Sequence, residues 1–225
     1  MWDGKRKAVT FSYDDGIEMD RRLVEMFNKY DLKCTFNLNS GIQSGVNSFL
    51  NKGVNIRRMN IKGLKELYRG HEIAAHTLTH PNLLNFDDET VYNEIWQDKF
   101  NLENIFEQRV QGMAYPYGTF DERIQGIAKE CNIKYARTVI ETGEFKISEN
   151  LLELKPSTSH GCGRIFDLMK QFIESEKEEA QLLYIWGHSY ELEVENNWEK
   201  MEEICKSLAR REDIYYGTNA EVLLD

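Results

Sequence analysis

The stretch "VTFSYDDGIE", Val9 to Glu18, starts as an apolar strand and stops on two adjacent carboxylates followed by glycine. Like charges at this spacing repel, and each carboxylate needs water or a partner. Consecutive residues of a regular strand point to opposite faces, so Asp14 and Asp15 can share one site only where the strand ends. Gly16 permits the bend. Once bent, one carboxylate can ligate a metal while its neighbour takes a proton. The plain alternative is a solvated Asp-Asp-Gly turn.

Outward from this stretch, apolar runs of strand length alternate with segments of helical period along the whole chain. The strands read as "AVTFSY", "CTFNLN", "EIAAH", "GMAY", "YARTV", "LLELKP" (151–156), "LLYIW" and "DIYYG". Helical patterns fall between them, including "IKGLKELYR" (61–69), and a last helix "NAEVLL" carries Thr218 and Glu221 at capping-box spacing. Only the join before "LLELKP" lacks one. Strand alternating with helix predicts a parallel sheet with helical crossovers. About eight strands in 225 residues predict an α/β fold, a deformed (β/α) barrel of about 7–8 parallel strands. An open doubly wound sheet is the alternative, but "YDDGIEMD" is not its glycine-rich phosphate loop.

Barrel enzymes place their chemistry at the C-terminal strand ends. Those ends carry Asp14 and Asp15, Asn37 and Asn39, His76 and His80, "YPYG", Arg137, "STSH" and His188. Four of the five histidines therefore fall on one rim, and only His71 lies off it.

A hydrophobic fraction of 41% in 225 residues supports a sizeable core, and no Pro, Gly or Ser-rich linker divides the chain, so a single domain over 1–225 is expected. The net charge of -10, with only short basic runs such as "GKRK" and "IRR", argues against a nucleic-acid partner. The four cysteines lie far apart without a CxxC pair, which suggests reduced, packed thiols. No apolar run is long enough for membrane insertion and no signal-peptide pattern precedes the first strand, so a cytoplasmic location is the expectation.

"HTLTHP" sets His76 and His80 four apart, close enough for one turn or tight loop to aim both imidazoles at one point. Pro81 disfavours helix at His80. A carboxylate from another strand, Asp14 or Asp15, would complete a two-His, one-carboxylate set with positions open for water and substrate.

In order and spacing, "TFSYDDG", "HTLTHP", "MAYPYG" and "LLYIWGHS" resemble the motifs of the polysaccharide deacetylase family, the NodB-homology domain of carbohydrate esterases, from Val9 to about His188. The resemblance implies a deformed (β/α) barrel, one divalent metal ion, usually Zn2+, and hydrolytic removal of an acetyl group from a sugar. It implies Asp14 as general base, Asp15, His76 and His80 as metal ligands, and His188 as general acid. For the oxyanion it suggests the backbone N–H of Tyr117.

Two positions depart from the pattern. Ala114 stands where the family often has an arginine that holds the base, and Arg137, at the end of the next strand, is the candidate replacement. "LKPSTSHG" offers no aspartate to orient the acid histidine. Tyr115 and Trp186 are expected to line a sugar pocket, and His160 to contact substrate; plain core packing and a structural histidine are the alternatives. Cys162 reads as an idle thiol. The long polar segment 40–60 is expected to form a substrate-selecting rim.

The expected function is a metal-dependent deacetylase acting on an acetylated carbohydrate. A deformylase or other C–N amidohydrolase keeps the same site. A non-catalytic carbohydrate-binding relic would be consistent with the two departures.

Overall fold

The computed structural model describes residues 1–42, 48–60 and 62–224. Its strands are β1 Lys7–Asp14, β2 Cys34–Leu38, β3 Phe49–Asn51, β4 Val54–Ile56, β5 Glu72–Ala75, β6 Gly112–Ala114, β7 Tyr135–Arg137, β8 Thr158–Ser159, β9 Gln181–Gly187 and β10 Ile214–Tyr216. The helices are α1 Asp20–Lys29, α2 Asp88–Phe106, α3 Glu122–Glu130, α4 Ile165–Glu174, α5 Ser189–Val194, α6 Trp198–Leu208 and α7 Asn219–Leu223. The main sheet is parallel and curls in the order β7-β6-β5-β2-β1-β9-β8, with β10 also on β1. This is the deformed, half-open barrel that the alternation of strand and helix predicts.

β1 sits at the centre, and its two edges are used differently. β9 pairs along Lys7–Tyr13 on one edge, while the other is divided between β10 at Lys7–Val9 and β2 at Phe11–Asp14. The strand's period of two sorts its side chains. Val9, Phe11 and Tyr13 enter the main apolar core with Phe27, Ile204 and Leu208. Thr10 and Ser12 face a polar interior, where the Asn219 amide meets both of them and the Tyr184 hydroxyl. Asp14 tops this column.

α7 closes the opposite end. Its capping box forms between Thr218 and Glu221, and the Ala220 N–H donates to buried Glu72, which also accepts from Thr35 and Tyr135.

Two expected elements differ. The strand expected over 151–156 is a 3-10 turn, Leu151–Glu153, followed by a single parallel bridge from Leu154 to Arg137. Asn150 caps that turn, and Pro156 lacks the N–H a ladder needs, so the chain crosses from β7 to β9 and forms only the two-residue β8. The helix expected over 61–69 is a series of turns across its described residues 62–69. Gly63, at φ +89°, stands in the left-handed region and breaks the helical run. α5 was not expected as a separate helix; His188 is its N-cap residue, and three residues separate it from α6.

Candidate active site

Asp14 and Asp15 part company at the end of β1. Asp15 adopts φ +84° and Gly16 φ +64°, which turns the second carboxylate out of strand register. Each acid then meets its own guanidinium.

Asp14 is buried and accepts from Arg137 Nη2, 2.6 Å from Oδ1, and from Asn37 Nδ2 at 2.8 Å. Arg137 also contacts Oδ2, is 1% exposed, and stacks its guanidinium 4.7 Å from the Trp186 ring centre. Burial pushes the Asp14 carboxyl up, but Arg137, His76 and His188 together hold it below its ordinary value. The arginine absent at Ala114 thus has a spatial counterpart one strand over. β6 and β7 pair in register, with Ala114 opposite Arg137.

Asp15 Oδ1 accepts from Arg58 Nη2 at 2.8 Å, and Arg58 Nη1 reaches the Asp15 carbonyl at 2.8 Å and Asn39 Oδ1 at 2.9 Å. Against its burial, His188, Arg58 and the other histidines bring Asp15 down to about 2. The same Oδ1 lies 3.9 Å from His76 Nε2 and 3.8 Å from His80 Nε2.

His76 follows β5 with its Nδ1 against the Ala114 carbonyl at 2.8 Å, which places the ring proton there and leaves a lone pair on Nε2. His80 is turned into the site by φ +58° and an N–H bond to Thr77 Oγ1. Burial lowers both imidazoles, His80 to about 4, so both stay neutral near pH 7. Ligand atoms of Asp15, His76 and His80 all lie within 4.8 Å of one another. One carboxylate and two neutral imidazoles fit a divalent transition ion.

On the other side of Asp14, His188 Nε2 lies 3.8 Å from Asp14 Oδ2 and 4.0 Å from Asp15 Oδ2. Its Nδ1 is 3.1 Å from Glu191 Oε1. Burial works against protonation, yet Glu191, Asp14 and Asp15 raise His188 to about 9.

A cleft of about 490 Å³ opens over these groups, walled by Phe49, Arg58, Tyr117, Val139, Trp186 and Tyr190. Tyr117 is 63% exposed, lies at φ +58° and meets His80 edge-on at 4.7 Å. Of the expected pocket residues, Trp186 lines the cleft. Tyr115 lines it too, from a buried position where its ring stacks on Phe120 and its hydroxyl donates to the Leu152 carbonyl.

His160 does not reach the cleft. It is 2% exposed, lies 3.0 Å from the Tyr13 hydroxyl through Nδ1, and lines a neighbouring cavity with Glu191 and Asn197. The outward turn of Tyr13 on β1 draws it away. The expected substrate contact is therefore corrected to a packed histidine behind the site.

The sequence reading missed Arg58 and Glu191. Arg58 lay in "IRR" and passed for a surface basic run, while "HSYE" has the spacing at which an N3 glutamate returns to its cap residue. Of the expected rim segment 40–60, residues 43–47 lie outside the described residues. Its described part supplies Phe49 and Arg58 to the cleft.

A curled parallel half-barrel with an acid pair and histidines on its C-terminal rim defines a class of α/β domain. A sequence model described as polysaccharide deacetylase matches residues 3–136, and the chain belongs to that family. Chitin deacetylase 2 of Cryptococcus neoformans var. neoformans serotype D is 24% identical over 143 residues, 59% of this chain and 31% of that protein. The match thus spans about a third of that relative's length. Among solved structures, the Xyl-CE4 domain of a multidomain xylanase from the hindgut metagenome of Trinervitermes trinervoides superposes with a TM-score of 0.62, at 15% identity, over 97% of this chain and 90% of that one. A CE4 family pseudoenzyme from Bacillus anthracis superposes with a TM-score of 0.59, also at 15% identity, over 98% of this chain and 66% of that one. These two likenesses establish the fold. No helix among the described residues is long and apolar enough to cross a membrane.

Proposed function

We propose that the chain, acting as a single domain over 1–225, is a metal-dependent hydrolase that removes an acetyl group from an N-acetylated sugar or oligosaccharide. The observation that carries this reading is the division of the acid pair. Asp15 Oδ1 faces the Nε2 atoms of His76 and His80, while Asp14 faces His188 and is held by Arg137.

Asp15, His76 and His80 would hold the ion, with zinc the best match to the donor set. When bound, it supplies positive charge that acidifies water and polarises the acetyl carbonyl. Asp14, kept ionised by Arg137, takes a proton from water as the water oxygen attacks the carbonyl carbon. The Tyr117 N–H donates to the oxyanion that develops. His188, protonated at Nε2, delivers that proton to the leaving nitrogen as the C–N bond breaks, which gives acetate and a free amine. Trp186, Tyr190 and Phe49 provide the flat apolar walls that a sugar ring can stack against.

Acetate release from chito-oligosaccharides should cease on chelation and return with added zinc. Activity indifferent to chelation would contradict the metal role. Formate release from an N-formyl sugar, with the acetylated one left intact, would move the reading to a deformylase.

A further inference from the structure

Two histidines, one glutamate and one tyrosine form a continuous run behind the cleft. Glu191 is the third residue of α5, and its carboxylate turns back over the start of the helix. Oε1 lies 3.1 Å from His188 Nδ1, while Oε2 accepts the His188 backbone N–H at 3.2 Å. Oε2 also lies 3.5 Å from His160 Nε2. The Glu191 side chain is 38% exposed, so water alone would leave it several rotamers. Contacts to His188 and His160 restrict it.

His160 is itself fixed from the far side. Its Nδ1 meets the Tyr13 hydroxyl, and the two rings stack nearly parallel with centres 5.5 Å apart. Its ring lies against the backbone of Gly187, the residue before His188; a Cβ there would stand 2.1 Å from His160 Nδ1. Only glycine admits the ring at this point. Tyr13 adjoins Asp14 on β1, so one strand supports both ends of the run. Its outward residue holds His160 and its inward residue faces His188 Nε2.

We propose that Glu191 is the positioning residue for His188, and that His160 is the second anchor that keeps Glu191 in place. The inference rests on the deacetylase reading for its kinetic consequence, though not for its geometry. A carboxylate at Nδ1 fixes the ring proton there and turns Nε2 toward the acid pair, where a leaving nitrogen would collect a proton. Glu191 thereby fills, from three residues downstream, the orienting role for which "LKPSTSHG" offers no acid. The same segment carries the buried His160.

The test uses Glu191→Gln, which keeps an acceptor for the helix-start N–H and removes the charge, alongside His160→Phe, which fills the ring space against Gly187. Kinetics are read together with zinc affinity and with the ¹⁵N NMR tautomer signature of His188, recorded above about pH 10, where a ring raised to about 9 is neutral. Glu191→Gln is expected to lower kcat on the order of ten- to a hundredfold with KM changed less than about threefold. Zinc affinity should hold, and the His188 ring should lose its single-tautomer signature. His160→Phe should lower kcat less, on the order of threefold to tenfold, again without a KM effect. An unchanged kcat in Glu191→Gln, or an unchanged His188 tautomer, would overturn the proposal. If the wild-type chain releases no acetate while the tautomer still depends on Glu191, the positioning role stands and the deacetylase reading fails.

Discussion

The two halves of the site treat two neighbouring aspartates in opposite ways. On the Asp15 side, two neutral imidazoles turn their Nε2 atoms toward a carboxylate oxygen, and Arg58 steadies that carboxylate from the rim segment. On the Asp14 side, the partners are cations: a buried guanidinium and a histidine raised to about 9. Each half has a guanidinium, but only the Asp15 half also gathers two imidazoles around a carboxylate oxygen, while the Asp14 half adds a second cation. The lesson is that adjacency in sequence does not mean a shared task. Two successive left-handed residues at the strand end, Asp15 and Gly16, give the two carboxylates separate surroundings.

The comparison breaks most completely through the histidines. His80→Ala should abolish zinc retention and acetate release together, as chelation does, while the chain stays folded, because Arg58 still pairs with Asp15. Metal analysis with far-UV circular dichroism checks this, and unfolding on chelation would contradict it.

Arg137→Ala sharpens the other half. Loss of the guanidinium leaves Asp14 buried without its cation, and turnover should fall on the order of ten- to a hundredfold with zinc retained. Partial recovery with added guanidinium salt would show that the charge matters beyond the packing on Trp186. Unchanged turnover would remove Arg137 from the mechanism.

His71 provides the contrast of a histidine outside the rim. It is buried against Phe27 and Phe36, and burial lowers it to about 4. The unfolded chain, with an ordinary value near 6.5, takes up this proton first. Stability should therefore decline as pH falls from about 6.5 toward 4, with His71 contributing up to about 3 kcal/mol of the loss. Urea midpoints of wild type and His71→Phe at pH 7 and pH 4.5 test this. An equal loss in both proteins would mean that His71 contributes nothing.

Tyr117→Ala carries the smallest effect. It removes an exposed ring from the cleft wall and leaves the backbone N–H in place, so KM should rise about two- to tenfold with kcat nearly unchanged. A kcat collapse instead would place the ring itself in the chemistry.

Much of this was legible from strand ends. "SYDDG", "HTLTH" and "WGHS" each show an apolar run stopping on a polar residue, and a parallel barrel gathers such residues on one rim whatever their separation. Arg137 could be placed beside Asp14 by the same logic. Arg58 could not, because it arrives through an antiparallel bridge between Ile17 and Arg58 that no local pattern announces. The segment 151–156 misled because "LLELKP" has strand-like composition, whereas Pro156 and the Asn150 cap decide its backbone. His160 misled for a physical reason as well: the rim position was read correctly, but the ring turns outward to Tyr13.

The separation of the acid pair is tested most directly by zinc affinity and acetate release in Asp14→Asn and Asp15→Asn, measured side by side. Asp14→Asn should bind zinc within a few-fold of wild type and lose on the order of a hundred- to ten-thousandfold in turnover, while Asp15→Asn should lose the metal itself. Loss of zinc in Asp14→Asn, or its full retention in Asp15→Asn, would contradict the assignment.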